Sequence, residues 1–454
     1  MSVPQTSAVG ALYDTQLQSA LRQFFERAAL DAEPTPSSSA DVRLSIEPSA
    51  NPAALTIRWF GTRYTLRVPG RWLFTAHEVR LAQAIGAVLA ARYRAILNPQ
   101  IIARRGDLFR GAIEDRYVGA FLDHKPYEIE SEEARADRIA SVIELLRVAA
   151  LSSYENQPIT TGVLLLSTSD DPYRTGRPPL PRAPAYAESL TGIKSFYRLA
   201  DGVRTLFLAN ASGRLLDIID VERWSSQVGD ARHLQIACAR AYQSHARATM
   251  QHGHVCAVLT PSREIKLFAE GSEIFTFRAA AWHLLDLQAK YRLWAESVGN
   301  EPLALRLFQT ALDLADARDG ALFVVVRDPA SFVSMVAAAD RLDIPMPEPG
   351  GAATPLSRRD LLHLLEGRTA TDLDASVLKA LASLDGATVF DRTGRLLAAG
   401  AILRHPPVDE ASDSSAIEGA RTTAAIAASR FGPVLKVSED GAITYFDRER
   451  VWEI

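Results

Sequence analysis

The chain has 454 residues, 47% of them apolar, with 50 Lys and Arg against 54 Asp and Glu. That length exceeds one ordinary domain and asks for two or three. The near balance of charge gives no sign of a broad polyanion-binding surface such as nucleic acid needs, while leaving room for a local basic pocket. Cys238 and Cys256 are the only cysteines, too few for a disulfide framework and without zinc-ligand spacing. The opening residues have no basic stretch followed by an apolar core, and no apolar run approaches the ~20 residues of a membrane helix, so a cytoplasmic protein is expected.

Residues 17–30 carry apolar side chains at helical spacing, and residues 32–41, rich in Pro and Ser, read as loop. Residues 42–46, 55–59 and 62–68 read as strands, with Phe60 and Gly61 as a tight turn between the last two. Residues 76–97 give the clearest helix, with Pro99 just beyond it. Together these predict a small α+β module over residues 1–100.

A middle α/β region follows over residues 101–298. Residues 131–150 read as an amphipathic helix whose acidic start suits the helix dipole. Residues 162–167 read as a buried strand and 171–184 as a Pro- and Gly-rich loop. Strands are expected over 205–209, 215–219, 254–260 and 264–269, and helices over 231–248 and 279–296.

The last domain covers residues 299–454. It begins with a helix over 303–317 and an apolar run over 321–326 that suits a central strand. Helices are predicted over 331–342, 373–384 and 419–429, loops over 345–355 and 404–415, and strands over 388–391 and 396–403. A hairpin over 434–438 and 442–446 closes the chain. Strands alternating with helices, and a terminal hairpin, predict an α/β fold with a mixed β-sheet covered by helices.

Residues 201–270 echo residues 385–446. Asp201 and Gly202 precede Gly213, Arg214, Leu215 and Leu216, as Asp385 and Gly386 precede Gly394, Arg395, Leu396 and Leu397. An Ala-rich helix and two strands follow in each. The echo predicts a second, degenerate copy of the terminal sheet in the middle region.

Several residues of the last domain suit chemistry. Asp385 follows a helix and opens a turn, where a carboxylate either faces a ligand or caps the turn. Gly386 and Gly400 permit close approach of backbone to a base or phosphate, or simply shape strand ends. Gly419, Ala420 and Arg421 start a helix, where backbone N–H groups favour anions and Arg421 adds charge-assisted bonds, unless it only faces solvent. Ser438 and Glu439 lead into Asp440 and Gly441, which also read as a plain hairpin turn. His252 and His254 share one side of an extended stretch but have no third metal ligand, and read as structural or surface histidines.

In this order and spacing, with Gly320, Ala321 and Leu322 upstream, residues 300–454 resemble the diadenylate cyclase domain (DisA N-terminal-like), whose members join two ATP molecules into cyclic di-AMP. The resemblance implies a nucleotide pocket lined by Gly320, Ala321, Leu322, Gly386, Ala387 and Gly400. It implies that Asp385 holds Mg²⁺ or Mn²⁺ beside the attacking 3′-hydroxyl, and that Gly419, Arg421, Ser438 and Glu439 lie by the phosphates. Members usually have His and Arg after the arginine; this chain has Thr422 and Thr423, which keep hydroxyls and lose the imidazole and guanidinium. Replacement cations are expected from Arg404 and His405 or from a neighbouring subunit.

The chain looks like the DACNV-type sensor proteins, which pair such a domain with distinct N-terminal extensions. That implies a nucleotide- or cyclic-dinucleotide-binding regulatory protein that signals through an effector protein. The echo in the middle region would then be a degenerate cyclase-like sheet. The alternative is an active, metal-dependent diadenylate cyclase, for which a homodimer or higher oligomer is required. A third reading is an interaction module with an empty pocket.

Overall fold

The computed structural model describes all residues except 1–4, 26, 35–43, 48–50, 52, 69–72, 130–135, 168–183, 188–193, 228–235, 251–252, 343–362 and 405–418. His252, His405, nearly all of the loop expected over 171–184, and the loops expected over 345–355 and, beyond Arg404, 404–415 lie outside the described residues. The chain divides into two compact units, residues 1–233 with 244–286, and residues 234–243 with 287–454.

The first unit is α/β with two large sheets and a two-stranded hairpin, Ser153–Tyr154 with Gln157–Pro158. The N-terminal sheet runs Ala29–Pro34, Thr62–Arg67, Ala54–Trp59, Ser45–Glu47, all antiparallel. Phe60 and Gly61 both have positive φ and close the central hairpin, the left-handed two-residue turn that matches strand twist. The helix Ala76–Leu97 starts at a capping box, in which Thr75 accepts from the Glu78 N–H and Glu78 accepts from the Thr75 N–H. Its buried face joins one apolar core that runs from Tyr13 to Trp282.

The second sheet of this unit has the order Leu215–Asp220, Thr205–Ala209, Thr161–Leu165, Val255–Leu259, Ile265–Ala269, Ser272–Arg278, Ala281–Leu284. Only the pair Thr161–Leu165 with Thr205–Ala209 is parallel.

The sheet of the second unit has the order Leu396–Ala401, Ala387–Asp391, Ala321–Val326, Val434–Val437, Ile443–Asp447, Glu449–Glu453. Again only the second and third strands are parallel. One face carries an aromatic cluster of Tyr291, Trp294, Phe308, Tyr445 and Trp452, which packs the helices Leu287–Val298 and Glu301–Ala317 against it. The other face, with Leu322, Val324, Val434 and Phe446, meets Ala425 and Ala428 of the helix Ala420–Ser429.

The predicted echo is thus a repeat of strand order, and it extends to the turns. Asn210 Oδ1 accepts from the Ser212 and Arg214 N–H groups, as Asp391 Oδ1 accepts from those of Thr393 and Arg395. The Thr260 N–H donates to Glu264 O, as the Ser438 N–H donates to Ala442 O.

Elsewhere the structure differs from the sequence reading. The first helix is Gln5–Phe24, and the chain turns into a strand at Ala29. The helix expected over 131–150 begins at Arg138, because the Asp137 side chain accepts from the Ile139 and Ala140 N–H groups and fixes the start there. The helix expected over 231–248 reduces, among described residues, to a 3-10 turn and the short helix Gln243–Ala248. Residues 279–284 belong to a hairpin, with Ala279 and Ala280 both at positive φ, and the helix begins only at Leu287. The helix expected over 331–342 stops at Met335, and the final hairpin gains a third strand, Glu449–Glu453.

Candidate functional site

The site is built where four chain turns meet at one end of the second unit's sheet. The helix Glu301–Ala317 ends at Arg318, whose φ of 61° is left-handed, and the Asp319 N–H returns to Leu314 O. That sharp stop delivers Gly320 to the start of the central strand. A Cβ on Gly320 would overlap the Arg421 guanidinium where it now lies, so a larger residue would displace that side chain.

Arg421 sits in the first turn of the helix Ala420–Ser429, whose N-cap residue is Gly419, with no side chain to cap that turn. Its guanidinium donates to Glu439 Oε1 at 2.8 Å and lies 3.5 Å from Asp385 Oδ1. Glu439 stands in the tight turn closed by the Ser438 and Gly441 backbone. Asp440 serves that turn by accepting from the Ala442 N–H, which leaves the Glu439 side chain to reach Arg421. Asp385 follows the helix Ala375–Ala382, and its side chain is fully exposed at 103%. Next to it, Gly386 has φ +113°, and a Cβ there would run into the Gly400 and Ala401 backbone, so the two strand ends touch closely.

The structure therefore brings Gly320, Asp385, Arg421 and Glu439 together, with Gly386 and Gly400 alongside. Gly419 is the helix N-cap residue, and its carbonyl accepts from the Thr422 and Thr423 N–H groups. Ala321, Leu322 and Ala387 are buried at their strand starts. Arg404 is anchored through its backbone N–H to Met335 O. His254 is buried in the first unit, and its Nδ1 accepts from the Ser167 N–H.

One residue of this neighbourhood escaped the sequence reading. Lys436 Nζ donates to Thr422 Oγ1 at 2.8 Å. Lys436 pairs with Leu322 across the ladder and so shares its sheet face, the one covered by the helix Ala420–Ser429. A lysine between Leu435 and Val437 in an otherwise apolar strand was the available signal.

Among the described residues no group of three or more His, Cys, Asp or Glu side chains is placed to hold a metal ion. Asp385 offers one exposed carboxylate, while Glu439 is engaged with Arg421, whose guanidinium fills the space between the two.

No family model matches the chain, and no curated protein matches it. Among solved structures it is similar, over 37% of its length and 68% of the other chain, to a hypothetical membrane spanning protein from Bacillus cereus, with 20% identity and a TM-score of 0.24. It is also similar, over 33% of its length and 85% of the other chain, to a double mutant of DacA from Staphylococcus aureus, with 23% identity and a TM-score of 0.20. TM-scores this low carry no weight on function. No helix among the described residues is long and apolar enough to cross a membrane.

Proposed function

We propose that the second unit is a diadenylate-cyclase-like module that binds a nucleotide or cyclic dinucleotide, and that the protein is a sensor or regulator working through an effector protein. The supporting observation is the meeting of Gly320, Asp385, Arg421 and Glu439, four motif residues spread over 120 positions, around one guanidinium. Arg421 and the first helical turn behind it offer charge-assisted and backbone donors to phosphate. The glycines at 320, 386 and 400 keep the backbone bare beside them.

Phosphoryl transfer needs preorganised positive charge on the reacting phosphate. Thr422 and Thr423 supply hydroxyls in place of an imidazole and a guanidinium, which favours binding over synthesis. The second reading, a metal-dependent diadenylate cyclase acting as a homodimer, draws on Asp385, whose exposed carboxylate caps no turn.

Calorimetric titration of the full chain with ATP and with cyclic di-AMP, wild type against Arg421→Ala, tests the proposal. Saturable binding that the substitution weakens at least tenfold supports it. Absence of binding to either nucleotide, or binding indifferent to Arg421, contradicts it.

A further inference from the structure

The geometry points to Lys436 as a phosphate-binding residue of this site, supplying from the neighbouring strand the positive charge that Thr422 and Thr423 do not. The inference rests on the reading of the second unit as a nucleotide-binding module and names the residue that selects for phosphate there.

Three observations carry it. First, Lys436 breaks the apolar pattern of its strand: Val434, Leu435 and Val437 are all buried, and Lys436 is only partly so. Its ladder partner Leu322 and its same-face neighbour Val434 both lie in the apolar core beneath the helix Ala420–Ser429. Its stem can lie along that apolar face while the ammonium reaches the helix start. Second, its place is fixed by a neutral group. The Nζ donates to Thr422 Oγ1 at 2.8 Å, so a hydroxyl orients the ammonium without neutralising it, and further donors remain. Third, Thr422 is the residue directly after Arg421, which binds Glu439 in the same first helical turn. Two cations, Arg421 from the helix and Lys436 from the strand, therefore flank the helix start at Gly419.

Thr422 has a consequence of its own in this arrangement. The threonine hydroxyl holds the lysine by one neutral hydrogen bond. A compact ammonium on a flexible stem suits a phosphate oxygen as a point charge, without the bidentate geometry of an arginine.

The test is equilibrium binding of ATP and of adenosine to the full chain, for wild type, Lys436→Met and Lys436→Arg. Methionine keeps the stem on the apolar face, and melting curves confirm that each variant folds. The expected result is that Lys436→Met weakens ATP by roughly ten- to a hundredfold, in keeping with loss of a charge-assisted bond, leaves adenosine unchanged, and that Lys436→Arg restores most of the ATP affinity. If the wild type binds ATP and Lys436→Met weakens ATP and adenosine alike, or neither, the assignment of Lys436 is overturned while nucleotide binding stands. If the wild type binds neither ATP nor cyclic di-AMP, the binding reading itself falls and this assignment with it.

Discussion

Asp201 and Asp385 stand at the same point of two sheets with one strand order, each before a glycine of positive φ at the entry to the second strand, yet only Asp201 is used as a cap. Asp201 Oδ1 accepts from the N–H groups of Val203, Arg204 and Thr205 at 2.8–2.9 Å. Burial alone would raise its carboxyl, but these backbone donors hold it below the usual carboxylate range. Asp385 has none of those bonds and touches Arg421 only at 3.5 Å.

Stability should therefore separate the two. Asp201→Ala is expected to cost about 1–2 kcal/mol, the ordinary loss of a capping side chain. Asp385→Ala should stay within about 0.5 kcal/mol, as for an exposed surface residue. Urea denaturation of both variants checks this, and equal losses would mean that Asp385 is structural after all.

Glu439 holds Arg421 at 2.8 Å and competes with any phosphate for it. Glu439→Gln removes that competing charge, so ATP affinity should rise severalfold, most clearly at low salt. A fall in affinity would instead assign Glu439 to direct ligand or metal contact.

The first unit should carry a pH signature. His77 lies 3.3 Å from Asp286 and 3.9 Å from Glu270, and Glu270 also accepts from Arg80 at 2.6 Å. Pairing with the carboxylates of Asp286 and then Glu270 raises His77 from 6.5 to about 9. In that window the folded state holds a proton that the unfolded state has lost. The stabilisation is complete below about pH 6.5 and disappears as pH rises through about 9. Melting temperatures of His77→Gln should thus lie below wild type at pH 6.5 and converge with it by pH 9. A gap that is constant with pH would remove the proton from the explanation.

Much of the second unit was legible because its strands are short apolar runs between strong stops. The run from Ala321 to Val326 is buried throughout, because it is paired on both edges, parallel to Ala387–Asp391 and antiparallel to Val434–Val437, with both of its faces covered, which leaves no polar alternative. The turns built on Asp391 and Asn210 were also visible as matching Gly-Arg-Leu-Leu segments. What failed did so for local reasons. Ala279 and Ala280 are strong helix formers, yet they hold the left-handed turn of a hairpin, where tertiary pairing overrides propensity. The strand Glu449–Glu453 is charged and lies at the sheet edge, so it lacks the apolar signal. Lys436 was hidden because its role depends on Thr422, fourteen positions away, and only the fold joins them.

The central claim is that this site binds without synthesising. Incubating the purified full chain with ATP and either Mg²⁺ or Mn²⁺, then resolving bound and free nucleotides by mass spectrometry beside Asp385→Ala, tests it most directly. The account predicts nucleotide retained by the protein and no cyclic di-AMP formed. Cyclic di-AMP produced by the wild type and absent with Asp385→Ala would contradict it.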